Sequence, residues 1–400
     1  MRQRLTILIA LITLVAGATP AGAQDAIGST LRVGALFDLT GPTNTIGEPF
    51  ARGASDYVGY VNSKGGINGQ KVDLIVIDYQ YDAQKSLAGF TRLATSDRVI
   101  GLMGWGSVDI PLLKPRLAEL GIPTISSAAR GFAVIGQPSP YLFALAGTYA
   151  DEVLALMQWA KADAARRGIK SPKAAILYTE PGRADQQHLK DVKAFERLGF
   201  ELVAEEFISV RAVSASAQVA RINATKPDYL FTLVTAEPQA LILREMQGLG
   251  LEIPVLANFF GGNEALLKLV GAAAKNLYVS SPVAFYSQTD LPGIKLIHDV
   301  TKKDELSVQY MAGWTGAMVL AEGLRAAKLT PQTSLKDARA ALKTGLESLR
   351  NLDMQGVSLP VTFGPTLRVG TGSFMLYRAD IDRNTFRLQA NIPVPQLGDK

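Results

Sequence analysis

The chain of 400 residues contains no cysteine and only two histidines. Without cysteine there is no disulfide framework, no thiolate metal site, no cysteine nucleophile and no lipid-modified N-terminal cysteine. Stability must therefore come from a large apolar core. His188 and His298 stand far apart, with no Glu-x-x-His or His-x-x-x-His spacing around them. A zinc site or a serine triad is poorly supplied, and both read as ordinary surface or boundary histidines. No metal and no cofactor is expected. Charge of one sign is also scarce: 41 basic residues face 36 acidic ones, a net +5 to which Arg2 and Arg4 contribute two. The basic residues are scattered, with no run beyond Arg166-Arg167 and Lys302-Lys303, so there is no nucleic-acid footprint. A mild positive excess still favours an anionic ligand.

Long hydrophobic runs are missing too, apart from one. Arg2 and Arg4 precede an apolar stretch from Leu5 to Ala16, followed by Pro20 and then Ala21-Gly22-Ala23. Positive charge, a short apolar segment and small residues form the pattern of a secretory signal peptide, with cleavage predicted after Ala23. The apolar stretch falls short of the roughly 20 residues needed to span a bilayer.

What remains is long enough for two domains. Short apolar runs alternate with amphipathic stretches, the pattern of βα units around a mainly parallel sheet. Leu31–Phe37 reads as the first strand. A helix then starts near Pro49, with Phe50, Ala54, Tyr57 and Val61 on one face. Strands follow at 72–78, 99–103, 122–126 and 141–146, with helices at 83–95 and 112–120. A second set follows: helices at 151–167, 185–198, 216–225 and 238–249, and strands at 174–178, 200–207, 229–234 and 253–259. The fold class is α/β, with two similar lobes in series. Beyond a strand at 277–283 come two helices, at 306–327 and 334–349, and a possible crossing at 357–363. The tail reads as a hairpin, 372–378 with 385–392.

Ligands of open α/β sheets sit at the carboxyl ends of the strands, so the loops there are the candidate site. Gly101 to Ser107 is glycine-rich but lacks Gly-x-Gly-x-x-Gly spacing, since Asp109 stands where the last glycine belongs. A smaller ligand fits better: Trp105, Gly106 and Ser107 offer backbone amides, a hydroxyl and a stacking face. Ser126 to Arg130 follows the next strand end. There Ala128 leaves backbone donors open, and Arg130 either clamps a carboxylate or lies as a surface arginine. Arg183, Thr235 and Phe259 follow strand ends of the second set.

Val33-Gly34-Ala35 through Thr40-Gly41-Pro42, Gly47, Gly53-Ala54, the segment Asn62 to Gly69, Val99-Ile100-Gly101, Gly121-Ile122-Pro123 and Pro227-Asp228 resemble the solute-binding proteins of branched-chain amino acid (leucine/isoleucine/valine) type ABC transporters. That resemblance implies the type I periplasmic binding fold. Its two lobes are joined by three crossovers, here near Gly147, Val283 and Val357. Residues 24–147 with 283–357 would form one lobe, and 148–282 with 358–400 the other. It also implies a soluble periplasmic receptor that closes on a small molecule, an amino acid or organic acid, and hands it to ABC transporter permease subunits in the inner membrane. Such a receptor is not an enzyme. A sensor serving a signalling partner would share the fold, and an exported hydrolase is a more distant alternative.

Carried over residue by residue, the family's site falls on Trp105, Gly106, Ser107, Ala128, Arg130, Arg183, Thr235 and Phe259. Amino-acid binders place a threonine where Arg130 falls, a tyrosine where Arg183 falls, and an acid where Phe259 or Phe260 falls. Two arginines without the acid that holds an ammonium point to a carboxylate lacking an amine, an aromatic or dicarboxylic acid. Glu237 is an alternative source of negative charge that would restore an amino acid.

Overall fold

The computed structural model describes residues 25–127, 130–136 and 139–397. The predicted leader lies outside them. The first lobe grows from βα units: β1 (Thr30–Phe37), α1 (Asn44–Ser63), β2 (Lys71–Asp78), α2 (Ala83–Thr95), β3 (Gly101–Gly104), α3 (Ile110–Leu120), β4 (Thr124–Ser126), the short α4 (Phe132–Ile135) and β5 (Leu142–Ala146). From Val33 to Phe37 every residue of β1 is buried, because helices cover both faces of a parallel sheet. The Asp82 carboxylate caps α2 through the amides of Gln84 and Lys85. α1 begins five residues before Pro49, since the Thr43 carbonyl accepts from Ile46 and Gly47 at 3.0 and 2.9 Å.

The second lobe starts with α5 (Tyr149–Arg166), opened by a capping box between Thr148 and Asp151. Then come β6 (Lys173–Tyr178), α6 (Arg183–Asp191), α7 (Ala194–Leu198), β7 (Glu201–Phe207), α8 (Ser216–Ala224), β8 (Tyr229–Leu233), α9 (Ala236–Gly248), β9 (Val255–Ala257), α10 (Glu264–Val270) and β10 (Leu277–Ser281). The single helix expected at 185–198 is two, because Lys193 turns left-handed at φ 50°. The expected strand at 253–259 is cut to three residues, and Phe259–Gly261 forms a 3-10 turn that sets the next loop.

The last third returns to the first lobe. α11 (Pro292–Thr301) is followed by α12 (Val308–Ala327), which packs on α1, and α13 (Leu335–Glu347), which packs on α12. The α1–α12 crossing is close enough to require glycine. A Cβ at Gly53 would stand 2.1 Å from the Tyr310 carbonyl oxygen, and one at Gly313 would stand 1.9 Å from that of Phe50. β11 (Val369–Thr371) then pairs parallel with β5, whereas β12 (Ser373–Asp380) and β13 (Thr385–Pro393) form an antiparallel hairpin.

The two sheets run β11-β5-β4-β3-β1-β2, parallel throughout, and β13-β12-β10-β9-β8-β6-β7, in which β12 runs antiparallel to both β10 and β13. Because β11 belongs to the first sheet, the final crossover lies at Gly372 and not near Val357. Residues 358–371 accordingly end on the first lobe. The stretch at 357–363 makes only isolated bridges, Val283 to Ser358 and Leu352 to Val361, and forms no strand. Among the described residues no helix is long and apolar enough to cross a membrane.

Candidate ligand-binding cleft

The carboxyl ends of β1, β2 and β3 face those of β6, β8 and β9 across a cavity of about 610 Å³, part of it open to solvent. The first-lobe wall comes from Thr43, Ile46, Tyr81 and the loop Trp105 to Ser107. Two buried carboxylates shape it from behind. Asp38, directly after β1, accepts from the Gly41 amide at 2.6 Å and from the amide and hydroxyl of Thr43 at 2.7 and 2.6 Å. The Thr43 hydroxyl oxygen in turn accepts from the Trp105 indole Nε1 at 3.3 Å.

Asp109, just ahead of α3, does not cap its own helix but turns back. Its Oδ1 accepts from the Gly106 amide at 2.7 Å and the Tyr79 hydroxyl at 2.8 Å. Burial pushes the Asp109 carboxyl up to about 6, against the opposing pull of the Tyr79 hydrogen bond. The loop has no room for a side chain at Gly106, where a Cβ would meet the Tyr79 hydroxyl and a Tyr81 ring carbon, both at 2.6 Å.

The second-lobe wall is built from Tyr149 at the start of α5, Thr179, Pro181 and Gly182 after β6, Leu233 to Thr235 at the end of β8, and Asn258 and Phe260 after β9. Gly182 and Thr235 are the N-cap residues of α6 and α9, and neither helix start carries a side-chain cap bond. At these starts the Arg183 amide already donates to the Glu180 carbonyl oxygen and Pro238 carries no N–H, so the donors left without an intrahelical acceptor include Ala184 of α6 and Ala236 and Glu237 of α9. Burial pushes the Tyr149 phenol above its ordinary range.

Trp105, Gly106, Ser107 and Thr235 are brought together on this wall. Ala128 lies outside the described residues. Arg130 is not part of the wall. It is fully buried, ion-paired with Glu152 of α5, and bonded to the Gly147 carbonyl oxygen at 2.5 Å. Its guanidinium lies 5.6 Å from the ring centres of both Tyr149 and Phe374. A buried guanidinium needs a counter-charge, and only the folded chain shows that Glu152 provides it. Arg183 is exposed and lies over the Phe207 ring at 4.9 Å, while its neighbour Gly182 takes the place at the cavity. Phe259 is buried beneath the wall, with its amide donating to Glu152 at 2.7 Å and its ring edge-on to Phe260 at 5.0 Å. Phe260 is the aromatic at the cavity.

Thr43, Tyr81 and Tyr149 are wall residues that sequence reasoning missed. The strand-end rule that singled out Trp105 applies equally to the ends of β1 and β2, so Thr43 and Tyr81 were findable. Tyr149 opens a helix just after a crossover, and no local pattern marks it.

A further contact bridges the lobes. The Phe132 amide of α4 donates to both Asp185 oxygens of α6 at 3.0 Å, and the Phe132 ring stacks on His188 at 4.0 Å. Asp185 also accepts from the Ala150 amide at 2.9 Å. Burial pushes its carboxyl up to about 7, with Asp151 and Glu152 adding to the rise.

No charged side chain lines the cavity among the described residues. Five hydroxyl or amide side chains, Thr43, Ser107, Thr179, Thr235 and Asn258, and several aromatic rings make a surface for an apolar body with a hydrogen-bonding end. No group of three or more histidine, aspartate or glutamate residues that could hold a metal occurs among the described residues.

This architecture recurs in known proteins. A Leu/Ile/Val-binding protein homolog 7 of Brucella melitensis is 22% identical over 84% of this chain and 86% of its own. A branched chain amino acid ABC transporter protein of Thermus thermophilus, crystallised with bound valine, superposes with a TM-score of 0.82 at 21% identity, over 92% of this chain and 98% of its own. A fatty acid ABC transporter substrate-binding protein of Thermomonospora curvata gives a TM-score of 0.77 at 22% identity, over 92% and 93%. The profile of the family described as periplasmic binding protein matches residues 30–384, nearly the whole described chain, and the protein belongs to that family.

Proposed function

We propose that this protein is the substrate-binding receptor of an ABC uptake transporter of the branched-chain amino acid type. It works in the periplasm and closes its lobes over a small organic acid that carries no amine. The closed form delivers that acid to the permease subunits without chemical turnover. The observation that carries the reading is the cleft wall, contributed by both lobes and free of charged side chains among the described residues. A ligand that touches both walls binds the closed arrangement better and shifts the population toward it.

The ligand class follows from what the wall offers. An ammonium group buried there would lack a carboxylate partner, a cost of several kcal/mol. A carboxylate would meet the positive ends of α6 and α9 beside Gly182 and Thr235, where the Ala184, Ala236 and Glu237 amides have no intrahelical acceptor. Support for an acid therefore comes from backbone amides, not from Arg130 or Arg183. Valine and fatty acids, named for two structural relatives, share a carboxylate and an aliphatic body and differ in the amine. The wall here favours the amine-free member. Tyr81, Trp105, Tyr149 and Phe260 add faces for an aromatic body.

Isothermal titration of the purified protein with leucine, phenylacetate, hexanoate and succinate tests the reading. Binding of one or more amine-free acids, with leucine silent, is the expected result. Tight leucine binding with every acid silent overturns it.

A further inference from the structure

A second cavity, of about 650 Å³ including space open to solvent, lies beside the first in the same cleft. Ile46 of α1 and Phe260 line both cavities, so the partition between them consists of two apolar side chains, one from each lobe. Beyond it the wall is mainly aliphatic, with Ala236, Ala265, Leu266 and Leu269. Leu269 is 56% exposed and adds accessible apolar surface at the mouth of this cavity.

Four polar side chains line the chamber, Thr45, Glu237, Asn263 and Gln309; Asn263 is taken up in capping α10, and Gln309 and Glu237 bear on what could bind. Gln309, in the first turn of α12, is 3% exposed and contributes to the wall, yet its amide Nε2 has no hydrogen-bond partner among the described residues. A buried amide of this kind is costly until a partner arrives. Glu237, in the first turn of α9, adds a carboxylate at the exposed side. That charge repels a second carboxylate and accepts from a hydroxyl.

We propose, resting on the acid-binding reading above, that this chamber receives the far end of an elongated monocarboxylic acid. The carboxylate stays in the first cavity at the helix starts, and the apolar body passes between Ile46 and Phe260. The distal end covers Leu266 and Leu269, where the Gln309 amide donates to an oxygen carried there. The cargo is thus a long acyl or arylalkyl acid, with or without a distal hydroxyl, and dicarboxylic acids are selected against.

The test compares each short acid with a homologue four methylenes longer: hexanoate with decanoate, and phenylacetate with phenylhexanoate. Each longer acid should bind about tenfold tighter or better, because the added methylenes leave water for the chamber. Ala265→Trp, at an exposed position of α10, should abolish that gain while leaving the short acid's affinity unchanged, which also reports that the variant is folded. Leu269→Trp serves as an independent block, and Gln309→Leu should remove about fivefold from a hydroxydecanoate without affecting decanoate. Longer acids that bind no better than short ones, or a length gain that survives both tryptophans, overturn the second chamber while leaving the acid reading intact. Silence of all acids at both lengths overturns the acid reading, and this proposal with it.

Discussion

The two walls of the cleft use buried carboxylates in opposite ways. On the first-lobe side, Asp38 and Asp109 hold only groups of their own lobe: the amides of Gly41, Thr43 and Gly106 and the Tyr79 hydroxyl. That wall keeps its shape whatever the other lobe does. On the second-lobe side, Glu152 and Asp185 reach across to Arg130 and to the Phe132 amide, both in the stretch between β4 and β5 of the first lobe. Glu152 also accepts from the Phe259 amide and from the Ser280 hydroxyl at 2.6 Å. These buried carboxylates sit one layer behind the cavity lining, shaping one wall and tying the other to its neighbour. No charged side chain lines the cavity among the described residues, so the preference proposed above would rest on backbone dipoles and shape.

The largest expected effect separates tying from shaping. Glu152→Ala leaves the fully buried Arg130 without a counter-charge and should cost about 3–5 kcal/mol in denaturant unfolding. The pair Arg130→Met with Glu152→Gln should recover more than half of the loss, since both charges then leave the interior together. A single variant that costs under about 1 kcal/mol would show that the pair does not hold the lobes as described.

An intermediate effect concerns pH. Asp185 and Asp109 are raised by burial to about 7 and about 6. Between the unfolded value of roughly 3.9 and those values, the folded chain keeps protons that the unfolded chain has released. Their contribution to stability is therefore largest in acid and declines as pH rises through about 6 and then about 7. Melting temperature measured across this range should flatten at its upper end in Asp185→Asn and at its lower end in Asp109→Asn. Identical slopes in wild type and both variants would contradict the assignment of these carboxyls.

The smallest effect belongs to Arg183. Exposed above Phe207, it should tolerate alanine within about 0.5 kcal/mol and with unchanged acid affinity. A tenfold weakening of phenylacetate binding in Arg183→Ala would return that arginine to the cleft and revive an arginine clamp.

Much of the fold was legible because βα units write themselves locally. β1 is apolar from Val33 to Phe37, α1 spaces Phe50, Ala54, Tyr57 and Val61 at helical period, and the tail hairpin brackets its turn at Asp380 to Thr385. Elements that escaped notice were short or depended on neighbours, such as α4, α10 and the break at Lys193. Of the candidate site, Trp105, Gly106, Ser107 and Thr235 were legible from their place after strands. Strand ends of a parallel sheet all point to one crevice whatever their side chains.

The sequence alone thus determined the α/β class and the two lobes, which rest on local period, and pointed to the strand ends as the candidate cleft, while its resemblance to solute-binding proteins implied the periplasmic binding architecture. Only the tertiary structure decided which side chains face that cleft. Arg130 lies 22 positions from Glu152, and no local signal says that a helix start will neutralise it. The choice between Phe259 and Phe260 turned on a 3-10 turn whose first amide, that of Phe259, donates a hydrogen bond to the Glu152 carboxylate, 107 positions away. The final crossover at Gly372 likewise depends on β11 finding β5 across more than two hundred residues. Long-range pairing of this kind leaves no trace in the spacing of residues along the chain, because its partners are neighbours only after the fold has formed.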